Sequence, residues 1–387
     1  FATDGKSGAP LGNKECFCRP SGRRNSLAGF CALFVFILNI WRNKMKKFIQ
    51  FFKEETVLCI ATILAIISMF IIPLDKGYIE YIDVKTLALL FSLMVVMAGL
   101  QKQGVFTALA SAMLPMAKHT GQLRLILVFL CFFTSMLITN DVALITFVPF
   151  SIIVYSMANR KEDILYVVVL QTIAANLGSM LTPLGNPQNL YLYSISGMSI
   201  GTFLMTMLPL TIASGVLLIA CCLMTKRDEL HTSLEKTAIC TSSKEKIVCV
   251  FYAVLFCVSL LTVLRIVPYQ VTFALALVGG FFTDKEVLKK VDYSLLITFI
   301  SFFIFIGNMG RIEAVRDFLS NILVGREMLI GFLSSQAISN VPAAVLLSGF
   351  TTNWAELLKG VNIGGLGTLI ASMASLISYK LYVKEMP

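Results

Sequence analysis

The chain has 387 residues, of which 57% are hydrophobic and only 14% charged, and its mean hydropathy is +0.82. A soluble domain carries roughly a quarter charged residues, so a water-facing exterior is excluded over most of the surface; at about 20 apolar residues per crossing there is room for roughly ten membrane spans. The 32 basic and 22 acidic residues leave a net charge of +10, but no basic stretch is interleaved with aromatics in a way that suits nucleic acid, and Lys and Arg beside spans set orientation instead.

In chain order, residues 1–44 open on Phe1 with a polar, Arg-containing stretch, and Met45-Lys46-Lys47 looks like a natural start. Residues 1–44 are therefore expected to be an extension outside the fold. The competing reading makes Gly29–Trp41 a signal or extra span, although its 13 residues give only about 20 Å of helix. Ten cysteines and two histidines are present, the cysteines mostly inside apolar runs. There they act as small hydrophobes, and neither a disulfide framework, a metal site nor a cofactor is expected.

Apolar runs follow at 57–73, 84–100, 164–182, 202–224, 247–264, 268–283, 293–309 and 361–383, with shorter amphipathic pieces at 105–117 and 311–323. Lys46, Lys47 and Lys53 before the first run, and Lys226, Arg227, Lys236, Lys244 and Lys246 in the loop 225–246, place both segments in the cytoplasm of a multi-pass protein of the cell (inner) membrane. The loop divides a first half, 45–224, from a second, 247–387. The stretch 125–157 has Lys118 and Arg124 before it and Arg160 and Lys161 after it. A continuous helix of that length would be about 50 Å long, so it is read as a re-entrant hairpin with its tip at Ile138-Thr139-Asn140-Asp141. Irregular backbone at that depth is tolerated only where protein or a wet cavity receives it.

The second half repeats the first. Ile82-Asp83 and Val291-Asp292 each open an apolar run that reaches a small-residue break, Ala98-Gly99 and Gly307-Asn308. Each run leads to a polar-tipped hairpin, 125–157 and 328–350, and then to a glycine-broken helix, 164–197 and 361–383. Asn176, Gly178 and Thr182 recur at the same offsets as Asn362, Gly364 and Thr368. The loop charges start the first repeat outside and the second inside, and opposed halves of this kind are the mark of secondary transporters with a midplane site. The fold class expected is an all-α polytopic membrane protein with an inverted repeat, two re-entrant hairpins and two broken helices.

Helices that stop inside a membrane expose backbone groups, and their N-terminal ends carry about half a positive charge. Thr139, Asn140, Asp141, Thr182, Asn186, Ser339, Asn340 and Thr368 are the candidate solute-binding residues, as donors and acceptors at the four breaks. Asn140, Asp141, Asn176, Gly178, Asn340, Asn362 and Gly364 are candidates for ion coupling. Gly178, Gly185, Gly364, Gly365 and Gly367 permit unwinding and close approach, although small residues in spans also serve helix packing. Asp141 stands out, because a carboxylate mid-span costs about 2.5–3.5 kcal/mol and is usually functional; the plainer alternative is that it caps the helix Val142–Tyr155. Pro149 and Pro209 read as kinks, and Arg265 and Arg311 as interface residues at span ends.

At these residues the chain resembles the ion-transporter superfamily, which includes divalent-anion/sodium symporters, citrate permeases, arsenite permeases and some sodium/proton antiporters. Thr139-Asn140-Asp141-Val142-Ala143-Leu144 with Pro149, Gly185-Asn186-Pro187-Gln188-Asn189 and Ser339-Asn340-Val341-Pro342-Ala343-Ala344 look most like the arsenite- and citrate-permease branches. The dicarboxylate branch has Ser-Asn-Thr at each tip; Asp141 and Val341 stand here at the third positions, so those threonine hydroxyls are absent. The resemblance implies a homodimer with scaffold and moving transport parts. The function expected is a secondary permease for a small anion, a carboxylate or oxyanion, coupled to sodium or protons; the alternative is a cation/proton antiporter using Asp141. No nucleophile elbow, His-Glu-x-x-His pair or phosphate loop supports an enzyme or an ATP-driven pump.

Overall fold

A computed structural model describes residues 42, 45, 55–224, 229 and 243–386. The expectation for residues 1–44 and most of the loop 225–246 lie outside them. The chain divides into units 1–56 and 57–387, and the second carries the helical architecture. Among the described residues all regular structure is helical: α1 (Thr56–Ile71), α2 (Gly77–Tyr81), α3 (Val84–Lys102), α4 (Val105–Met113), α5 (Thr120–Ile138), α6 (Asn140–Met157), α7 (Ile164–Ser179), α8 (Pro187–Ser196), α9 (Ile200–Leu223), α10 (Ser243–Val263), α11 (Tyr269–Thr283), α12 (Lys285–Lys289), α13 (Tyr293–Arg311), α14 (Glu313–Leu323), α15 (Glu327–Ile338), α16 (Asn340–Ser348), α17 (Trp354–Gly364) and α18 (Met373–Glu385).

Six of the described helices, α3, α5, α6, α9, α10 and α13, are long and apolar enough to cross a membrane, fewer than the ten for which composition leaves room. The remainder of the apolar sequence is spent on shorter pieces: α1 and α11 have 16 and 15 residues, and hairpins and broken helices divide the rest. The protein is thus a polytopic all-α membrane protein. The first hairpin is α5–α6, starting five residues before the expected 125; its arms of 19 and 18 residues are each about 28 Å long. The second, α15–α16, has arms of only 12 and 9 residues. The second broken helix begins at Trp354, not 361, because its amphipathic first turns hold the ion pair Glu356–Lys359 at 2.7 Å.

Local chemistry sets the element ends. Asp83 and Asp292 sit at nearly identical angles (φ −75°, ψ 84° and φ −78°, ψ 84°) and accept from the N–H of Thr86 and Leu295 to cap α3 and α13. Asn186 caps α8 by accepting from Asn189 N–H at 2.9 Å, with Pro187 at the first helical position. The small-residue pairs read as breaks are not breaks. α3 and α13 run straight through Ala98-Gly99 and Gly307-Asn308, and the two glycines instead admit aromatic rings, Tyr252 against Gly99 and Tyr81 against Gly307. Asn308, fully buried, donates to Ser68 Oγ and Tyr78 OH, both at 2.9 Å, which ties α13 to α1 and α2. Arg311 ends α13 and pairs with Asp75 at 2.6 Å; its guanidinium holds the Asp75 carboxyl below the usual carboxylate range.

The two apolar cores exchange parts between the halves. One gathers the first hairpin, α7 and Ala374 of α18. The other gathers α16 and α17 with Leu190, Tyr191 and Leu192 of α8. Each half-helix beyond a break therefore packs in the other half's core, α18 on α6 and α7, and α8 on α16 and α17.

Arg124, a basic residue flanking the first hairpin, is fully buried. Its Nη1 donates to the Cys222 carbonyl at 2.9 Å, its Nη2 lies 3.8 Å from Asp163, and its guanidinium stands over the Tyr166 ring at 5.5 Å. It fastens the end of α9 to the base of the first hairpin. Removing a charged donor from a buried carbonyl costs about 1.5–3 kcal/mol. Arg124→Ala should lower the thermal midpoint of the purified protein accordingly; a midpoint unchanged within error would show that the contact holds nothing.

Candidate functional site

The two hairpin tips share one backbone geometry. Thr139 has φ 73° and ψ 147°, and Ser339 has φ 75° and ψ 156°. This corner of conformational space suits glycine almost alone and costs a side-chain-bearing residue roughly 1–3 kcal/mol. The next residue along the chain, an asparagine in both tips, fastens the strained backbone in place. Asn140 N–H donates to the Gly185 carbonyl at 3.0 Å, and Asn340 N–H to the Ala371 carbonyl at 2.9 Å. Each asparagine's Oδ1 accepts the next N–H, from Asp141 at 3.0 Å and from Val341 at 2.9 Å.

The two breaks match in the same detail. Thr182 donates its hydroxyl to the Met136 carbonyl, and Thr368 donates to the Gln336 carbonyl at 3.2 Å. Each threonine Oγ1 then accepts an N–H at 3.1 Å, from Gly185 and from Ala371. Thus each break is stitched to its own hairpin by a threonine hydroxyl and an asparagine N–H. Gly178 and Gly364, expected where the backbone unwinds, are helical. A Cβ there would run into the backbone carbonyls of Phe132 and Phe332 and the side chains of Ser135 and Ser335. Their role in this geometry is to let the first hairpin arms lie directly on the broken helices.

A cluster of buried amides then joins the halves. Asn176 Oδ1 accepts from Asn140 Nδ2 at 3.1 Å and from Ser372 Oγ at 2.9 Å. Asn362 Oδ1 accepts from Asn186 Nδ2 at 3.1 Å. Asn176 and Asn362 each also donate to the carbonyl four residues back, of Thr172 at 2.9 Å and Leu358 at 2.8 Å. The exchange is reciprocal: an asparagine before each break accepts from the residue that follows the other break. All of Asn140, Asn176, Asn186, Asn340, Asn362 and Ser372 are buried. The chain Asn140–Asn176–Ser372, next to Ala371 and its bond from Asn340, links the two tips directly.

Three members of the cluster were not anticipated. Ser372 stands 186 residues after Asn186, the spacing of Asn176 and Asn362, so the repeat offset alone could have found it. Asn189 collects the carbonyls freed by the first break, those of Ser179 and Met180 at 3.2 Å and Thr182 at 3.0 Å, and accepts from Asn362 Nδ2 at 2.7 Å. Gln336 donates to the Gly364 carbonyl at the second break.

The site is not symmetric. Asp141 does not cap α6, since its carboxylate takes no backbone N–H and Asn140 supplies the acceptor at that turn. Asp141 Oδ1 is buried without a hydrogen-bond partner. The first break is covered from Pro183 to Leu190, whereas Gly367, Thr368, Leu369 and Ile370 of the second are exposed. A cavity of about 350 Å³ lies elsewhere, between the start of α15 and α17, lined by Arg326, Met328, Phe332, Glu356 and Ile363 among others. None of the expected site residues lines it. Among the described residues no group of three His, Cys, Asp or Glu could hold a metal ion.

Residues 35–377 match the family model described as citrate transporter. An uncharacterized transporter of Methanocaldococcus jannaschii is 36% identical over 322 residues, 82% of this chain and 86% of the relative. An inner membrane protein of Escherichia coli K12 is 29% identical over 323 residues, 81% of this chain and 84% of the relative. A silicon efflux transporter of rice, Oryza sativa subsp. japonica, is 31% identical over 143 residues, 37% of this chain and 29% of the relative. The chain belongs to the citrate transporter family and is a membrane transporter, not an enzyme.

The strain at Thr139 and Ser339 makes an unusual prediction. A glycine introduced into ordered backbone normally costs about 0.5–1 kcal/mol, but here it removes a larger strain. Thr139→Gly and Ser339→Gly should leave the thermal midpoint unchanged or higher while transport falls, because the tip loses its enforced geometry. A lowered midpoint in both would show that neither residue is strained.

Proposed function

We propose that this chain, as a transporter of the citrate transporter family, carries a small anion, a carboxylate or an oxyanion, by alternating access and couples its movement to sodium or protons. The observation that supports this most is the reciprocal amide exchange, in which Asn176 meets Ser372 and Asn362 meets Asn186. It gathers two helix N-termini, at Asn140 and Asn340, and two broken helices around one point. Neither tip, 138–143 or 338–343, carries Lys or Arg, so the positive ends of α6 and α16 supply the attraction for an anion. A solute held by dipoles and amides faces partial charges in place of full ones, so less attraction has to be overcome on release.

On this reading the halves are inverted in the membrane and the loop 225–246 is cytoplasmic, since the basic residues of that loop favour it. Residence in the cell (inner) membrane and assembly as a homodimer belong to the same proposal. The rice relative's name makes silicon its solute, which favours including a small oxygen-rich acid beside carboxylates. A second reading, a cation/proton antiporter, is favoured by the single unpartnered carboxylate oxygen at Asp141. A carboxylate in a site without basic residues, with the carboxylate of Asp292 in its neighbourhood, can take a cation or a proton in either mechanism.

Uptake into proteoliposomes separates the two. Labelled citrate, sulfate and arsenate, each tested under a sodium gradient and a proton gradient, should include one accumulated against its own gradient. Asp141→Asn should abolish the gradient dependence and cut accumulation at least tenfold, while the protein still folds. Sodium-driven proton movement with no flux of any of the three would select the antiporter. Unchanged coupling in Asp141→Asn would remove that residue from both.

A further inference from the structure

The two tips are alike in backbone and unlike in what their asparagines have left to offer. In both, the amide oxygen is committed to the next residue's N–H, which fixes the orientation of the amide and leaves Nδ2 as the free end. At the first tip that nitrogen is used, on Asn176 Oδ1 at 3.1 Å. At the second tip the matching acceptor, Asn362 Oδ1, is held by Asn186 Nδ2. The residue at the Asn186 position in the other half is Ser372, whose hydroxyl bonds to Asn176 Oδ1, an oxygen that also accepts from Asn140. Asn340 Nδ2 does not reach the matching oxygen and makes no hydrogen bond; the residue is 4% exposed, and this nitrogen is not among the fully buried unpartnered atoms. It points at Gly365, where a Cβ would stand 3.1 Å from it. The exposed residues Gly367–Ile370 adjoin it.

The charge differs in the same sense. The first tip adds a carboxylate, Asp141, with an unpartnered oxygen; the second has Val341 in that place. One tip is therefore an acceptor with its donors consumed. The other is a donor with its acceptors consumed, at the N-terminus of the nine-residue α16.

We propose that the tips divide the work. Asn340 Nδ2 and the N-terminus of α16 bind an oxygen of the anion, reached through the open second break, and the first tip takes the coupling cation or proton on Asp141. This rests on the anion-transport reading and assigns each charge to one hairpin. A donor that makes no bond inside the protein and is not fully buried is free to bond an anionic oxygen. Two tips of opposite preference also hold an ion pair in line, so that the approach of one charge favours the other.

Thermal stabilisation of the purified full chain by citrate, sulfate and arsenate tests it, since a ligand of the folded state raises the midpoint. Asn340→Asp keeps the capping oxygen and replaces the donor with negative charge. It should raise the dissociation constant of the stabilising anion at least tenfold. Asn340→Ala, which removes the donor without adding charge, should raise it about threefold and covers the case in which the aspartate variant fails to fold. Asn140→Asp should have a smaller effect than Asn340→Asp, because that nitrogen is already committed inside the protein. Equal losses at the two tips, or a larger loss at Asn140, overturn the division while leaving anion binding intact. Wild-type protein stabilised by none of the three overturns the anion reading itself, and the division with it.

Discussion

A helix that stops inside a membrane leaves backbone donors and acceptors with no water to bond, and each orphan costs several kcal/mol. The whole centre of this protein answers that constraint. The first N–H of each hairpin's second arm goes to a carbonyl of the following break, from Asn140 to Gly185 and from Asn340 to Ala371. Threonine hydroxyls at 182 and 368 return the bond in the other direction. Asn189 gathers three carbonyls that no helix could satisfy. These residues are polar because broken backbone at depth must be answered locally, and a place where it is answered by side chains is also one where a polar solute can compete.

The same bonds define what can move together. Each hairpin is tied to its break, and each half-helix beyond a break is packed into the opposite core, α18 beside α6 and α8 beside α16. Neither hairpin can travel without carrying a segment of the other half. That argues for motion of the hairpins and broken helices as one body, with hinges outside it, in place of independent opening of the tips. The strained Thr139 and Ser339 fit the same picture, since strain of this kind persists only where the surroundings over-determine the backbone.

Much of this arrangement is legible in the residues. The breaks at Thr139 and Ser339 and the matched Asn176/Asn362 and Thr182/Thr368 all announce themselves as polar residues where only apolar ones are cheap. Glycines were harder, because the same residue type serves unwinding and close packing. Gly178 and Gly364 turn out to touch carbonyls, and Gly99 and Gly307 to admit aromatic rings, distinctions that depend on a neighbour hundreds of residues away or on another helix. The burial of Arg124 was hidden for a related reason: a basic residue beside an apolar run is usually at the interface, and only the partner at Cys222 reveals it as buried. Fewer of the described helices reach spanning length than composition leaves room for, because short arms and half-helices divide the rest of the apolar sequence.

Internal repetition invites the assumption that the two halves of a site do the same thing. Here the backbone repeats closely and the chemistry does not, and the difference traces to two exchanges, Asn186 against Ser372 and Asp141 against Val341. Asn140 reaches the oxygen of Asn176 beside Ser372, whereas Asn340 does not reach that of Asn362 beside Asn186, and only the second tip keeps a donor in hand. A carboxylate at one tip and an aliphatic side chain at the other decide the sign of the remaining field. A transporter that must bring an anion and its counter-charge to one place gains from such a division. Two identical tips would each have to hold both charges, whereas one acceptor and one donor sort them by electrostatics alone. Varying two side chains on a repeated backbone is therefore enough to give the two tips different chemistry.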